Sequence, residues 1–216
     1  ERKHIACFHL YNDFSGSPKV LKIVLDILLK GGHRVDLITS RGGILDTIES
    51  SDRLRRHSYD YHFSSRAIVT MARYAIIQIY TFFMSLRWMF ERDVEFYINT
   101  ILPVGPALAG KMMGKRVVYH YHENACSKGR IYRILAWMMQ QLADEIICVS
   151  AYQAGRLRRQ SKVTVIPNTL PAEYVKDLTQ IGGGTFDHRR VMMLTSLREY
   201  KGIGEFVELS KRMPEY

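Results

Sequence analysis

Cysteine is scarce: the 216 residues hold only Cys7, Cys126 and Cys148. None falls in a CxxC or zinc-type spacing, so neither a disulfide framework nor a zinc module is expected. The thiols read as small apolar side chains in a reducing compartment. No GxGxxG occurs, which argues against a dinucleotide cofactor. Low-complexity and heptad stretches are missing too. At 47% hydrophobic and 24% charged residues, the chain has enough apolar area for a core and is not a disordered segment. Acidic residues are few, 21 against 31 Lys and Arg, so the formal charge is +10 and an acidic partner is favoured: nucleic acid, anionic lipid or a phosphorylated ligand. The basic clusters Arg53/Arg55/Arg56, Lys111/Lys115/Arg116 and Arg156/Arg158/Arg159 carry no interleaved aromatics and no nucleic-acid motif, which sets nucleic acid aside. A long apolar run is also lacking. Tyr74 to Leu86 spans 13 residues between Arg73 and Arg87, short of the roughly 20 that a spanning helix needs, so no transmembrane span is expected. No signal peptide opens the chain, and residue 1 is Glu, so the natural start is expected upstream or removed.

What is present alternates between strand and helix. Lys3 to Tyr11 is apolar and β-prone, followed by the polar turn Asn12-Asp13-Phe14-Ser15-Gly16-Ser17-Pro18. Ser17 as cap and Pro18 at the first helical position predict a helix running to Lys30 and ending at Gly31-Gly32. Further strands are expected at His33–Ser40, around Tyr59/Tyr61/Phe63, at Val94–Asn99, Arg116–Tyr121, Glu145–Val149 and Val163–Ile166. Helices are expected at Arg66–Glu91, Pro106–Met113, Ile131–Leu142 and, capped by Ser150, at Ala151–Gln160. Strands apolar throughout, alternating with helices, predict a parallel sheet covered on both faces, a doubly wound α/β domain over residues 1–178. Residues 179–190, with three consecutive glycines, read as a linker. Residues 191–216 read as the first strand (Val191–Leu197) and helix (Gly202–Arg212) of a second, truncated α/β domain.

Three places carry residues suited to chemistry. Gly16, at the mouth of the first helix, lets backbone N–H groups approach a phosphate or sugar, or it is simply a tight turn. His120, His122 and Glu123 end a central strand, where ligands of open α/β sheets bind. His122 is the preferred functional residue, His120 reads as a packed core residue, and a metal shared by the pair is the weaker alternative. Arg198 and Lys201 precede Gly202 at a helix start and suit a diphosphate, although two solvated charges is the commoner fate of such residues.

Taken together, the Ser15-Gly16 turn, Gly32-His33-Arg34-Val35, the strand ending His122-Glu123, Ala143 to Ser150 (ADEIICVS), Val165-Ile166-Pro167-Asn168 and Lys201-Gly202 resemble glycosyltransferase family 4, the group 1 enzymes of GT-B fold. The resemblance covers almost the whole chain. It implies a Rossmann-like, acceptor-binding amino-terminal domain and a donor-binding carboxy-terminal domain. It also implies transfer of a hexose from a nucleotide-sugar, with retention, to a glycan or lipid-linked acceptor in surface polysaccharide synthesis. No cofactor or metal is implied; the nucleotide-sugar is the donor substrate. By position, His122 looks like the cleft histidine with the catalytic role. Gly16, Arg198 and Lys201 look like donor-diphosphate residues, and Ser15, Ser17 and Glu123 look like acceptor contacts.

This sequence departs from the family in having Ser15-Gly16-Ser17 for a glycine pair, Asn168-Thr169 for Asn-Gly and Thr195-Ser196-Leu197 before Arg198. The family's Glu-x7-Glu segment is expected beyond Tyr216, so the chain is not expected to act alone. A cytoplasmic location follows, peripheral on the inner face of a membrane. There the arginines around the 66–91 helix would meet an anionic surface, unless that helix is a core helix on the sheet. The alternative is a non-catalytic acceptor-binding module working with a separate catalytic subunit.

Overall fold

The computed structural model describes residues 2–125, 128–170, 175–176, 190–195, 197 and 199–213. Within residues 1–169, which form one compact unit, seven strands pair in parallel: β1 (His4–Phe8), β2 (Arg34–Ser40), β3 (Leu54–Tyr59), β4 (Val94–Asn99), β5 (Val117–Tyr121), β6 (Glu145–Cys148) and β7 (Val163–Val165). Their spatial order is β3-β2-β1-β4-β5-β6-β7. The helices between them are α1 (Gly16–Lys30), α2 (Ala67–Ser85), α3 (Val104–Met112), α4 (Arg130–Leu142) and α5 (Ala151–Ala154). This is the doubly wound, Rossmann-like α/β sheet that the apolar strands imply.

The two faces of the sheet are visible in β1 itself, because successive side chains of a strand point to opposite sides. Ala6 and Phe8 join the larger core with Met84 and Trp88, Ala107 of α3, and Leu135 and Met139 of α4. Cys7 joins the smaller one with Leu21 and Leu25 of α1 and Val35 and Leu37 of β2. The chain thus winds one way from β1 through α1 to β2, then crosses back past β1 to β4. The boundary between β1 and β4 is the switch point at which an open α/β sheet leaves a crevice.

Several elements differ from the sequence reading, each for a local reason. The strand expected around Tyr59, Tyr61 and Phe63 lies earlier, at Leu54–Tyr59. Its exposed Arg55 and Arg56 sit on an edge strand, where charge guards against further pairing. Tyr61 follows the strand and is buried beside Leu10 and Ile77. The first helix begins at Gly16, with Ser15 rather than Ser17 at the cap position. Ser150 does cap α5, accepting the Gln153 N–H at 3.3 Å, but the helix stops at Ala154. The amides of Gly155, Arg156 and Leu157 still close backbone turns, and beyond them Arg158 and Arg159 N–H both donate to Gln140 Oε1, at 2.7 and 3.2 Å, so the helix is not resumed.

The long helix ends at Ser85 and continues as a 3-10 turn to Trp88, which is buried in the core. By length and composition, Ala67–Trp88 is long and apolar enough to cross a membrane, which corrects the estimate from the uninterrupted run alone. It is not a sheet-covered core helix either: only Ile77, Thr81, Met84 and Ser85 of α2 are buried.

Residues 170–216 form a second unit, with α6 (Ile203–Arg212) preceded by Gly202 at φ 80. The segment Val191–Leu197, expected as a strand, has none among its described residues: no described neighbour pairs with it, and Met192, Leu194 and Leu197 stand exposed. Of the proposed linker 179–190, only residue 190 lies among the described residues.

α2 and α3 approach so closely that Gly105 leaves no room for a side chain: a Cβ there would lie 2.0 Å from the Gln78 carbonyl oxygen. The Gly105 N–H is fixed to Gln78 Oε1 at 2.8 Å. Because the obstacle is backbone, Gly105→Ala forces the helices apart. The expected cost is about 2–3 kcal/mol in urea denaturation, against about 1 kcal/mol for Gly114→Ala, where nothing crowds the Cβ and only the φ of 67° is strained. Equal losses in the two variants would mean that helix contact is not what Gly105 serves.

Candidate active site at the switch point

The carboxyl ends of β1, β4 and β5 converge on one group of polar side chains. Asn99, the last residue of β4, is fully buried. Its Nδ2 donates to His9 Nδ1 at 3.0 Å and to the Ser17 carbonyl in the first turn of α1 at 3.3 Å, and its Oδ1 accepts from His122 Nε2 at 2.9 Å. The glycine turn and the end of β5, two of the places singled out by the sequence, are therefore joined through a residue that the sequence reading passed over. His120 packs against His122 with ring centroids 4.1 Å apart and the planes tilted by 39°, and it hydrogen-bonds Tyr97 through Nδ1 at 2.7 Å. The buried Nε2 atoms of His9 and His120 have no partner among the described residues.

The next residue, Thr100, has φ 72, an uncommon left-handed conformation for a β-branched residue. Its N–H donates to the His120 carbonyl at 2.9 Å, so the strained turn is tied to β5. Strain of this kind, of order 1–3 kcal/mol, collects where a surrounding structure holds a functional geometry.

The turn after β1 is held from below. Tyr59 Oη donates to the His9 and Leu10 carbonyls, at 3.1 and 2.9 Å. Buried Asn12 takes the Leu45 N–H on its Oδ1 at 3.0 Å and donates to Asp46 at 3.0 Å, while its own N–H reaches Ser40 Oγ at 2.8 Å. Gly43 makes this possible, as a Cβ there would fall 2.4 Å from Asn12 backbone and side-chain atoms. Ser15 gives its N–H and hydroxyl to Asp13 Oδ1, at 3.0 and 2.6 Å. The α1 N-terminus consequently has no side-chain cap and no acidic residue in its first turn, and a Cβ on Gly16 would meet nothing within 4 Å. Open backbone at a helix N-terminus is a setting that suits an anion.

Glu123 is buried, accepting the Ile101 N–H on Oε2 at 3.3 Å. Gln153 of α5 donates Nε2 to the His122 and Glu123 carbonyls, at 2.9 and 3.2 Å, fixing that stretch of chain. Burial lowers His9 and His120 to about 4. His122 falls to about 3, by burial first and then by the neighbouring His120 and His9. Burial also pushes the Glu123 carboxyl up. At neutral pH the three imidazoles are uncharged, so they serve as directional hydrogen-bonding groups rather than cations.

The histidines do not form a metal cage. One ring nitrogen of each is directed to Tyr97 or Asn99, and no three His, Cys, Asp or Glu among the described residues could hold an ion. Lys201 ends a 3-10 turn, Glu199–Lys201, in the second unit, and Arg198 lies outside the described residues. Ser15, Gly16, Ser17, His122 and Glu123 are all at the carboxyl edge of the first unit's sheet. His9, Asn99, Thr100 and Gln153 were missed. A polar residue directly after an apolar strand, as in HIACFH and VEFYIN, was the available signal.

The sequence model of Glycosyltransferase Family 4 matches residues 15–174, most of the chain. The chain belongs to glycosyltransferase family 4. Searching the curated proteins gives no match. Among solved structures, a protein of Anabaena (Alr3699/HepE) in complex with UDP and glucose superposes with a TM-score of 0.64 at 15% identity, covering 99% of this chain and 59% of that one. A glycosyltransferase of Rickettsia africae gives 0.57 at 16% identity, covering 98% and 57%. UGT89C1 of Arabidopsis thaliana, complexed with UDP-L-rhamnose, gives 0.58 at 10% identity, covering 96% and 55%. At such identities the likeness is one of fold, and it agrees with the α/β GT-B architecture of the family. The chain spans somewhat over half the length of these solved relatives.

Proposed function

We propose that this family 4 chain is the acceptor-side half of a nucleotide-sugar-dependent glycosyltransferase. In this reading it transfers a hexose, with retention, to a glycan or lipid-linked acceptor in surface polysaccharide synthesis. The observation that carries the proposal is the Ser17–Asn99–His122 connection. It brings the uncapped α1 N-terminus and a neutral, oriented histidine to one crevice edge, where an anionic leaving group and a sugar hydroxyl have separate uses for them. Gly16 leaves space for a diphosphate to reach backbone N–H groups. Arg198 and Lys201 carry the charge suited to a departing diphosphate. Ser15, Ser17 and Glu123 are the acceptor-binding residues in this reading. Nothing in this chemistry calls for a resident metal or cofactor. The enzyme works in the cytoplasm on the inner face of a membrane, and the exposed apolar face of α2 with its arginines is the contact.

The test uses the natural-length protein with UDP- and GDP-hexoses and extracted lipid-linked acceptor, following labelled sugar into product and its anomeric configuration by NMR. Donor consumption with a retained anomeric centre is expected, and His122→Gln should lower kcat/KM at least 100-fold. Acceptor binding without transfer, from any donor, would instead identify a binding module. An inverted product would remove the retaining mechanism.

A further inference from the structure

The three contacts of Asn99 determine more than its own orientation. A backbone carbonyl only accepts, so the atom 3.3 Å from Ser17 O is the amide nitrogen. The opposite orientation would set two acceptors against each other. With the amide so placed, its other N–H meets His9 Nδ1 at 3.0 Å, and that nitrogen must carry a lone pair. The amide oxygen lies 2.9 Å from His122 Nε2, which must then carry the proton. A neutral imidazole has one N–H only, so Nδ1 of His122 is bare.

We infer that Asn99 is a positioning residue: anchored on the Ser17 carbonyl, it fixes His9 and His122 as Nε2–H tautomers, so that His122 presents Nδ1 as an acceptor to a hydroxyl of the bound sugar or acceptor. The surroundings support a fixed state. The His120 ring, packed at a tilt of 39° with centroids 4.1 Å apart, restrains the His122 ring from turning, and Gln153 holds the His122 carbonyl. The left-handed Thr100 that follows Asn99 is tied to the His120 carbonyl, which holds the end of β4 against β5. The tautomer assignment stands on this geometry alone; only the role toward a substrate hydroxyl rests on the proposed transferase.

Long-range nitrogen–proton NMR of the histidine rings at pH 7, on this chain, reads the tautomers directly. His9→Gln and His122→Gln spectra would assign the signals. Both rings are expected as single Nε2–H tautomers. Asn99→Asp removes the donor to His9 and gives His122 a charged acceptor. His9 should switch to Nδ1–H or to the cation, and at least one of the two rings should titrate a pH unit or more higher. The wild-type reading does not depend on Asn99→Asp, so it decides even where the buried carboxylate prevents folding. His122 found as Nδ1–H, or as a fast average of tautomers, would overturn the inference whether or not the natural-length protein transfers sugar. Correct tautomers together with no transferase activity would leave the inference standing and remove the function proposed above.

Discussion

Stability of the folded chain is expected to fall steeply between pH 6.5 and pH 4, well above the range in which carboxylates usually drive acid unfolding. The cause is the group of neutral imidazoles at the switch point. His9 and His120 are held at about 4 and His122 at about 3 in the folded state, against 6.5 for a free histidine. Above pH 6.5 neither state binds the protons and the contribution is fully present. As the pH falls, the unfolded chain takes up as many as three protons that the folded chain refuses, and stability is lost progressively toward the folded values. Each histidine contributes a slope of up to about 1.4 kcal/mol per pH unit, so the loss by pH 4.5 amounts to several kcal/mol. Glu123 works against this: its raised carboxyl takes a proton in the folded state first and becomes stabilising as pH falls. One such group cannot offset three. Urea midpoints measured from pH 7.5 to 4.5 check the slope, which His120→Gln should reduce by about a third. A midpoint that does not move over this interval would mean that the rings are not buried as neutral groups.

The sheet was legible because its central strands are apolar on both faces, a pattern that only a covered parallel sheet requires. Val94–Asn99 and Val117–Tyr121 illustrate it, ending within a residue of where expected. Edges were read less well for the same reason. β3 has one covered side and carries Arg55 and Arg56, so its strand signal is weak, whereas Tyr61 just beyond it is buried by tertiary contact and imitated a strand position. α5 could not be read as short, because what keeps it from resuming is Gln140, eighteen residues away, accepting amides that a longer helix would have used.

The site was half legible. Gly16 and His122 could be found from turn chemistry and strand-end position, each within its own segment. Asn99 joins them across 23 residues to His122 and 82 to Ser17, a relation that periodicity and spacing do not encode. The family resemblance supplied His122 by alignment of motifs, but not the residue that orients it.

The second large effect concerns α2. At 100° per residue, Ile68, Ile76, Ile79 and Phe83 fall within about a quarter-turn of one another, opposite the buried Ile77 and Met84. All four are exposed, Ile68 at 84% and Phe83 at 64%, and Phe90 beyond the helix end reaches 93%. A face this apolar, five turns long, is unusual on an isolated soluble surface. Exposed Arg66 precedes the helix and exposed Arg87 and Arg92 follow it, a positive fringe at both ends that suits an anionic bilayer better than a second copy of a chain carrying +10. Large apolar side chains are also exposed on the other helices, Met112 on α3 and Ile134 and Trp137 beside Arg130 and Arg133 on α4.

On the proposed membrane-facing role, the chain should float with vesicles containing anionic lipid at low salt. Each large apolar side chain buried in the interface contributes about 1.5–3 kcal/mol, so Ile79→Glu with Phe83→Glu should weaken partitioning 100-fold or more while leaving the fold intact, because neither residue is buried. Neutral vesicles should bind more weakly, since each arginine near an anionic surface contributes about 1 kcal/mol. Dimers in sedimentation that the same pair of substitutions dissolves, with no vesicle binding at any salt, would assign the face to a second protein surface instead.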